Sequence, residues 1–172
     1  MRYNELTFQG RNAVLEAFRS GKTIDKLFIL DGCQDGPIKS IVREAKKTDA
    51  IINYVDKERL DRLAGTGHHQ GVVAIGAAYE YAEVEDILAA AKEKGEDPFI
   101  FILDEIEDPH NLGAIIRTAN LAGAHGVIIP KRRAVGLTAT VAKTSAGAIN
   151  YTPVAKVTNI ANTIEALKKE GL

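Results

Sequence analysis

Residues 99–130, FIFILDEIEDPHNLGAIIRTANLAGAHGVIIP, constrain the fold of this chain more than any other stretch. Phe99, Ile100, Phe101, Ile102 and Leu103 form an unbroken apolar run, the pattern of a strand covered on both faces in a parallel sheet. An acidic turn follows. Asp108 before Pro109 then marks a helix start, an N-cap acid with proline at the first helical position. Leu112, Ile115, Ile116 and Ala119 recur at helical spacing and predict one buried face. Gly123 stops the helix, and Gly126-Val127-Ile128-Ile129 reads as the next buried strand. Strand, helix and strand in this order make a βαβ unit, whose strands lie parallel through a right-handed crossover. The predicted class is α/β.

Two polar residues of that helix are candidates for chemistry. Asn111 lies at the helix entrance, outside the carboxyl end of the first strand, where open α/β sheets hold their ligands. Arg117 falls about 160° from the centre of the apolar stripe, on the far side of the helix. From pattern alone, Asn111 either helps cap the helix or meets a ligand, and Arg117 is either a solvated charge or an anion-binding group. The turn lacks G-x-G-x-x-G and its acids would repel a pyrophosphate, which disfavours a dinucleotide-binding protein.

The first 78 residues alternate helix and strand signals. Val14, Leu15 and Phe18 share a helix face. Residues 26–30 and 51–55 are strands, and Ile38, Ile41, Val42 and Ala45 mark a second helix. Leu60, Leu63 and Ala64 support a third helix that stops at Gly65, and residues 71–75 form a last strand. This is enough for a small three-layer α/β domain of its own. His68 and His69 suggest a metal, but adjacent side chains point apart on a strand and no further ligand stands at metal-binding spacing. A loop position beside Gln70 suits His69, where a ligand contact is one use. Arg11 and Asn12, at a helix start, serve either the fold or such a contact.

Residues 79–97 read as a linker carrying a short helix, with Val84, Ile87, Leu88 and Ala91 as its stripe. After Pro130, Lys131, Arg132 and Arg133 form a basic loop at the carboxyl end of the second strand, the same edge as Asn111. They are suited to backbone phosphates or to solvent. Residues 138–148 are rich in small side chains, residues 153–157 form another strand, and Ile160, Ile164 and Leu167 face one side of a last helix.

Charge is segregated. Residues 81–108 hold 2 Lys+Arg against 10 Asp+Glu, and residues 109–172 hold 8 against 2, so the net charge of −1 conceals a basic end able to meet phosphates. Cys33 is the sole cysteine, which excludes an intramolecular disulfide or a cysteine-based zinc site. No apolar run approaches the roughly 18 residues of a membrane span. A cytoplasmic setting is expected.

The run from Leu103 to Ala119, with Asn111, Gly113 and Arg117 at a strand-to-helix junction, resembles the first motif of the SpoU/TrmH family of RNA ribose 2′-O-methyltransferases. Residues 10–14 (GRNAV), 69–74 (HQGVVA) and 127–133 (VIIPKRR) are similar to its bacterial branch, which methylates a guanosine ribose in 23S ribosomal RNA. The resemblance implies a substrate RNA-binding domain over 1–78, a linker over 79–97, and the front portion of an α/β-knot (SPOUT) methyltransferase domain over 98–172. It implies Arg117 and Asn111 as catalytic residues, Arg117 activating the ribose hydroxyl with a neighbouring phosphate and Asn111 orienting it. RNA contacts are expected from Arg11, Asn12, His69, Gln70, Lys131, Arg132 and Arg133. S-adenosyl-L-methionine is the implied cofactor and a homodimer the implied assembly. The family's second and third motifs have no counterpart before Leu172. The knot and the cofactor-binding residues are therefore expected beyond Leu172, and the chain is expected to be inactive alone. The alternative is a non-catalytic RNA-binding protein.

Overall fold

The computed structural model describes residues 6–65 and 67–172. They fall into two compact units, one ending at Tyr79 and one spanning Glu80–Leu172. No helix among the described residues is long and apolar enough to cross a membrane.

The first unit alternates strictly: β1 (Leu6–Gln9), α1 (Arg11–Arg19), β2 (Ile24–Leu30), α2 (Gly36–Ala45), β3 (Ile51–Val55), α3 (Lys57–Ala64) and β4 (Val72–Gly76). The sheet order is β1-β4-β2-β3, with β3 parallel to β2 and β4 antiparallel to both β2 and β1. Leu27 and Ile29 of β2 pack with Val14 and Phe18 of α1 and with Ile38 and Ile41 of α2. Phe28, between them in sequence, points the other way and packs with Val73 and with Leu60 of α3. Both faces of β2 are thus covered, which is why it reads as a continuous apolar run. Asp35 and Asp56 cap α2 and α3 through the amides of Ile38 and Arg59, and Gly65, at φ 65°, ends α3 in the left-handed conformation. The edge strand β1 was not evident in sequence, since four residues give too short an alternation to separate from a loop.

The second unit holds α4 (Val84–Lys94), β5 (Ile100–Ile102), α5 (Pro109–Leu121), β6 (Gly126–Pro130), α6 (Ala139–Thr144), a 3-10 turn (Ala148–Asn150), β7 (Val154–Val157) and α7 (Ile160–Lys169). Its sheet, β5-β6-β7, is parallel throughout. Strands added in this order by right-handed crossovers carry both connecting helices on one face, and α5 does pack on α6 and on the 3-10 turn. The other face is closed by α4 and α7: Ile87, Ile128, Ala155 and Leu167 form one buried cluster. The central strand β6 is buried at every residue. By contrast β5 is shorter than its apolar run and only half-buried, with Phe99 46% exposed, because among the described residues it pairs with β6 alone.

The helix expected within the linker is α4, closed by a reciprocal Glu83–Asp86 capping box and by Gly95 at φ 69°. It is a core element of the second unit. Ile87 is fully buried, and a Cβ on Gly126 would stand 2.5 Å from its Cδ1, so the strand keeps glycine where the isoleucine rests. Truncating Ile87→Ala should cost the second unit about 2–5 kcal/mol, measured as a lowered urea midpoint at unchanged slope.

Candidate functional site

The carboxyl edge of the β5-β6-β7 sheet is formed by the loops that follow each strand. In the first loop the Asp108 carboxylate accepts from the amides of His110 (2.7 Å) and Asn111 (3.1 Å), satisfying donors that a helix start leaves unpaired. The N-terminus of α5 is therefore occupied by its own acid and is not offered to an anion. The Asn111 side chain is exposed and forms one wall of a cleft of about 300 Å3, completed by Phe101, Ile106, Ala114, Ile115 and Thr118. Arg117 is exposed too, without an ion pair among the described residues. Six residues separate the two, about 9 Å along the axis and about 120° around it. They flank an exposed face of α5 without touching each other.

The buried face of α5 is Leu112, Gly113, Ile116 and Ala119, and Ile115, expected inside, is half-buried at the cleft. The stripe turns toward Gly113 because α6 packs there at backbone distance. A Cβ on Gly113 would lie 1.9 Å from Thr144 Oγ1 and 3.0 Å from the Ser145 amide nitrogen. Thr144 in turn donates its hydroxyl proton to the Thr140 carbonyl at 2.9 Å, with the Pro109 carbonyl 3.3 Å away. The glycine between Asn111 and Arg117 thus sets the approach of two helices, and the small residues of 138–148 supply the matching surface.

The second loop is tied to the first. Arg133 pairs with Glu105, and the Val135 amide donates to the Ile106 carbonyl at 2.8 Å. Both paired residues hold left-handed backbone, φ 54° and 50°. The Lys131 amide donates to the Val157 carbonyl at 2.8 Å, extending the β6–β7 ladder, and the residue is half-buried. Arg132 is exposed without an ion pair among the described residues. Arg132 and Arg133 are thus both exposed, but Arg133 already holds a carboxylate.

In the first unit, Arg11, Asn12 and Gln70 converge on a pocket of about 590 Å3 with Leu30, Cys33, Pro37 and Gly71. Gln70 Oε1 accepts from the Arg11 amide at 3.0 Å, capping α1 where its own N-cap, Gly10, has no side chain. The Arg11 guanidinium bonds the Gln70 carbonyl at 3.2 Å and pairs with Asp35. Asn12 is exposed. His69, expected in an open loop position, is instead buried. It is 4% exposed, its Nδ1 accepts from the Gly71 amide (3.0 Å), and its Nε2 meets Asp61 (2.9 Å). Both ring nitrogens are used to brace the loop into β4.

Sequence reasoning missed a matching brace in the second unit. His125 is 5% exposed, with Nδ1 accepting from the Phe99 amide and Nε2 on Glu96, both at 3.0 Å. A single histidine between Ala124 and Gly126 carries no signal for this. Asp35 was also missed, although an Asp-Gly-Pro start is a readable cap. Among the described residues no three His, Cys, Asp or Glu side chains converge to hold a metal.

Together these features describe a two-unit α/β protein with an accessible asparagine at the carboxyl edge of a parallel sheet and an accessible arginine further along the same helix. Residues 9–82 match the family described as RNA 2′-O ribose methyltransferase substrate binding, and residues 98–172 match the SpoU rRNA methylase family. The chain is 54% identical over 163 residues to YacO of Bacillus subtilis (strain 168), assigned to the TrmH family of tRNA/rRNA methyltransferases, covering 95% of this chain and 65% of that protein. It is 48% identical over 167 residues to a protein of the same assignment from Staphylococcus haemolyticus (strain JCSC1435), covering 97% and 67%. The chain therefore spans about two thirds of the length of the curated relatives it matches. It also superposes on the SpoU methyltransferase AviRb of Streptomyces viridochromogenes with a TM-score of 0.45 and 20% identity, covering 99% of this chain and 63% of that one. The chain belongs to the SpoU/TrmH family of RNA methyltransferases.

Replacing Gly113→Ala should cost about 1–3 kcal/mol by overpacking the α5–α6 contact. Adding Thr144→Ala should recover only part of that loss in chemical denaturation, because it removes the hydroxyl oxygen at 1.9 Å but keeps the residue 144 Cβ at 2.8 Å and the Ser145 amide at 3.0 Å.

Proposed function

We propose that this chain belongs to an enzyme that methylates a ribose 2′-hydroxyl of ribosomal RNA, a 23S guanosine, with S-adenosylmethionine as donor. In this reading the first unit recognises the RNA and the second carries the reacting groups. The observation that carries it is the pair Asn111 and Arg117, both accessible, neither with a side-chain hydrogen bond or ion pair among the described residues, on a helix fixed by Asp108 at its start and by Gly113 against α6. Family membership and the match of residues 9–82 to a substrate-binding description support the RNA assignment.

A ribose hydroxyl is a poor acid and a weak nucleophile, so its alkylation needs alignment and stabilisation of the charge that develops on oxygen. Arg117 is permanently cationic and its planar fork suits bidentate binding of the phosphate beside the target ribose. Held there, it stabilises negative charge on the attacking oxygen, and the phosphate is placed to accept the proton. Asn111, with one acceptor and two donors on its carboxamide, orients the sugar through hydrogen bonds. The bound cofactor would supply an electrophilic methyl carbon.

The cleft beside Asn111 does not by itself fit that cofactor. It is small and its lining is uncharged, so it offers no partner for the carboxylate and ammonium of an amino-acid moiety. The cofactor is accordingly proposed to be held by residues other than those lining this cleft. For the whole enzyme we propose a cytoplasmic homodimer, on family membership.

In a protein extended to the length of the relatives, Arg117→Ala should lower RNA methylation by roughly 10^2-fold or more while leaving the circular dichroism spectrum and melting temperature unchanged. Near-normal turnover would remove Arg117 from the mechanism. Stoichiometric RNA binding without methyl transfer by the unsubstituted extended protein would favour a binding protein instead. The 172-residue chain assayed by itself should transfer no methyl group from S-adenosylmethionine to ribosomal RNA.

A further inference from the structure

The helix α2 presents a surface that none of the foregoing uses. Lys39, Arg43 and Lys46 stand at i, i+4 and i+7, within a sector of about 60° and over about 10 Å of helix. They line a hollow of about 460 Å3 where α2 meets the edge strand β3, and every charged side chain lining it is a cation. None of the three has an ion pair among the described residues. The acid nearest in sequence, Glu44, is engaged elsewhere: Lys47 bonds both its oxygens, at 2.9 and 2.8 Å. That hydrogen bond is the chief reason its carboxyl is held below the usual range, with smaller contributions from the charges of Lys47, Arg43 and Arg19.

An exposed ring completes the hollow. Tyr54 of β3 is 56% exposed, although its neighbour two residues back, Ile52, packs into the core from the same face. An aromatic plane left open beside unpaired cations is the arrangement that single-stranded nucleic acids use, with phosphates on the charges and a base on the ring. The surface is also continuous with the first unit's other polar pocket, since Cys33 lines both the hollow and the Arg11–Asn12–Gln70 pocket.

We propose that a single-stranded stretch of the RNA leaves the Arg11–Asn12–Gln70 pocket past Cys33 and runs along α2, its phosphates on Lys39, Arg43 and Lys46 and one base stacked on Tyr54. The proposal rests on the reading that the first unit engages RNA, and adds to it a second site and a direction. An acidic polypeptide would also answer the charges, but it would leave the ring without a role.

Binding of a fluorescein-labelled 16-nucleotide oligoribonucleotide to the 172-residue chain, followed by anisotropy between 50 and 300 mM salt, tests it. Each phosphate contact on a single strand contributes a slope of about −0.7 in log K against log salt. The triple variant Lys39→Gln, Arg43→Gln, Lys46→Gln should therefore flatten the slope by about 2 and weaken binding roughly 50-fold at 150 mM salt. Tyr54→Leu should weaken it roughly tenfold at unchanged slope, and Tyr54→Phe should bind as the parent does. All four side chains at the hollow are on the surface, so melting temperatures should stay within a few degrees. Loss of binding in Arg11→Gln with the triple variant unchanged would overturn this proposal and leave the first unit's RNA role standing. No binding by the parent chain would overturn both. A slope lost in the triple variant with Tyr54→Leu indistinguishable from the parent, and with polyglutamate displacing the RNA at equal charge concentration, would mark a generic anion surface and overturn it as well.

Discussion

Two parallel strands cannot be joined by a tight turn; the chain has to cross the sheet and return, and a helix is the usual way back. Most of the second unit follows from that requirement. The crossover from β5 to β6 is α5, the crossover from β6 to β7 contains α6, and both lie on the same face because the handedness of the connection is fixed. Two helices on one face must then share space, and Gly113 against Thr144 is where they do. The opposite face is left to the helices before and after the three strands, α4 and α7, which meet over Ile128. Asn111 is carried to the strand ends because a crossover helix has to start there, and Arg117 is exposed because the packed side of the helix is already taken.

The parts of this structure that announce themselves in sequence are those decided by near neighbours. Asp108 before Pro109 specifies a helix start from the side chain and ring alone, and Gly65 and Gly95 mark helix ends for equally local reasons. The alternation of Leu27, Phe28 and Ile29 between two cores is visible because both faces demand apolar residues. The burial of Ile115 was read wrongly for a reason outside its own helix: α6 approaches the glycine side, and only the tertiary contact reveals which edge of the stripe turns inward. His69 shows the same limit. Beside Gln70 and two glycines it reads as an open loop residue, yet its ring is the post around which the loop closes.

The candidate site was legible in a particular way. Asn111 and Arg117 stood out through a resemblance of motif, whereas the helix pattern alone was compatible with a cap and a solvated charge. What the motif could not convey is its division of labour. Gly113 serves packing, Asp108 satisfies backbone amides, and the asparagine and arginine are left unengaged. In the first unit the corresponding residues are more entangled, since Arg11 and Gln70 hold each other and so maintain the pocket they line. Their contribution to the fold and any contact they make with a ligand draw on the same atoms.

The link between Glu105 and Arg133 has a consequence of this kind at the rim of the sheet. The two loops are also stitched by backbone, so the carboxylate cannot drift away when the guanidinium is drawn elsewhere. An anion arriving at Arg133 does not find a vacant guanidinium, as it would at Arg132; it exchanges places with a tethered rival of the same sign. Grip there is a difference between two anions competing for one fork, weaker than the bare charge count suggests and more selective for a ligand that can take both prongs at once.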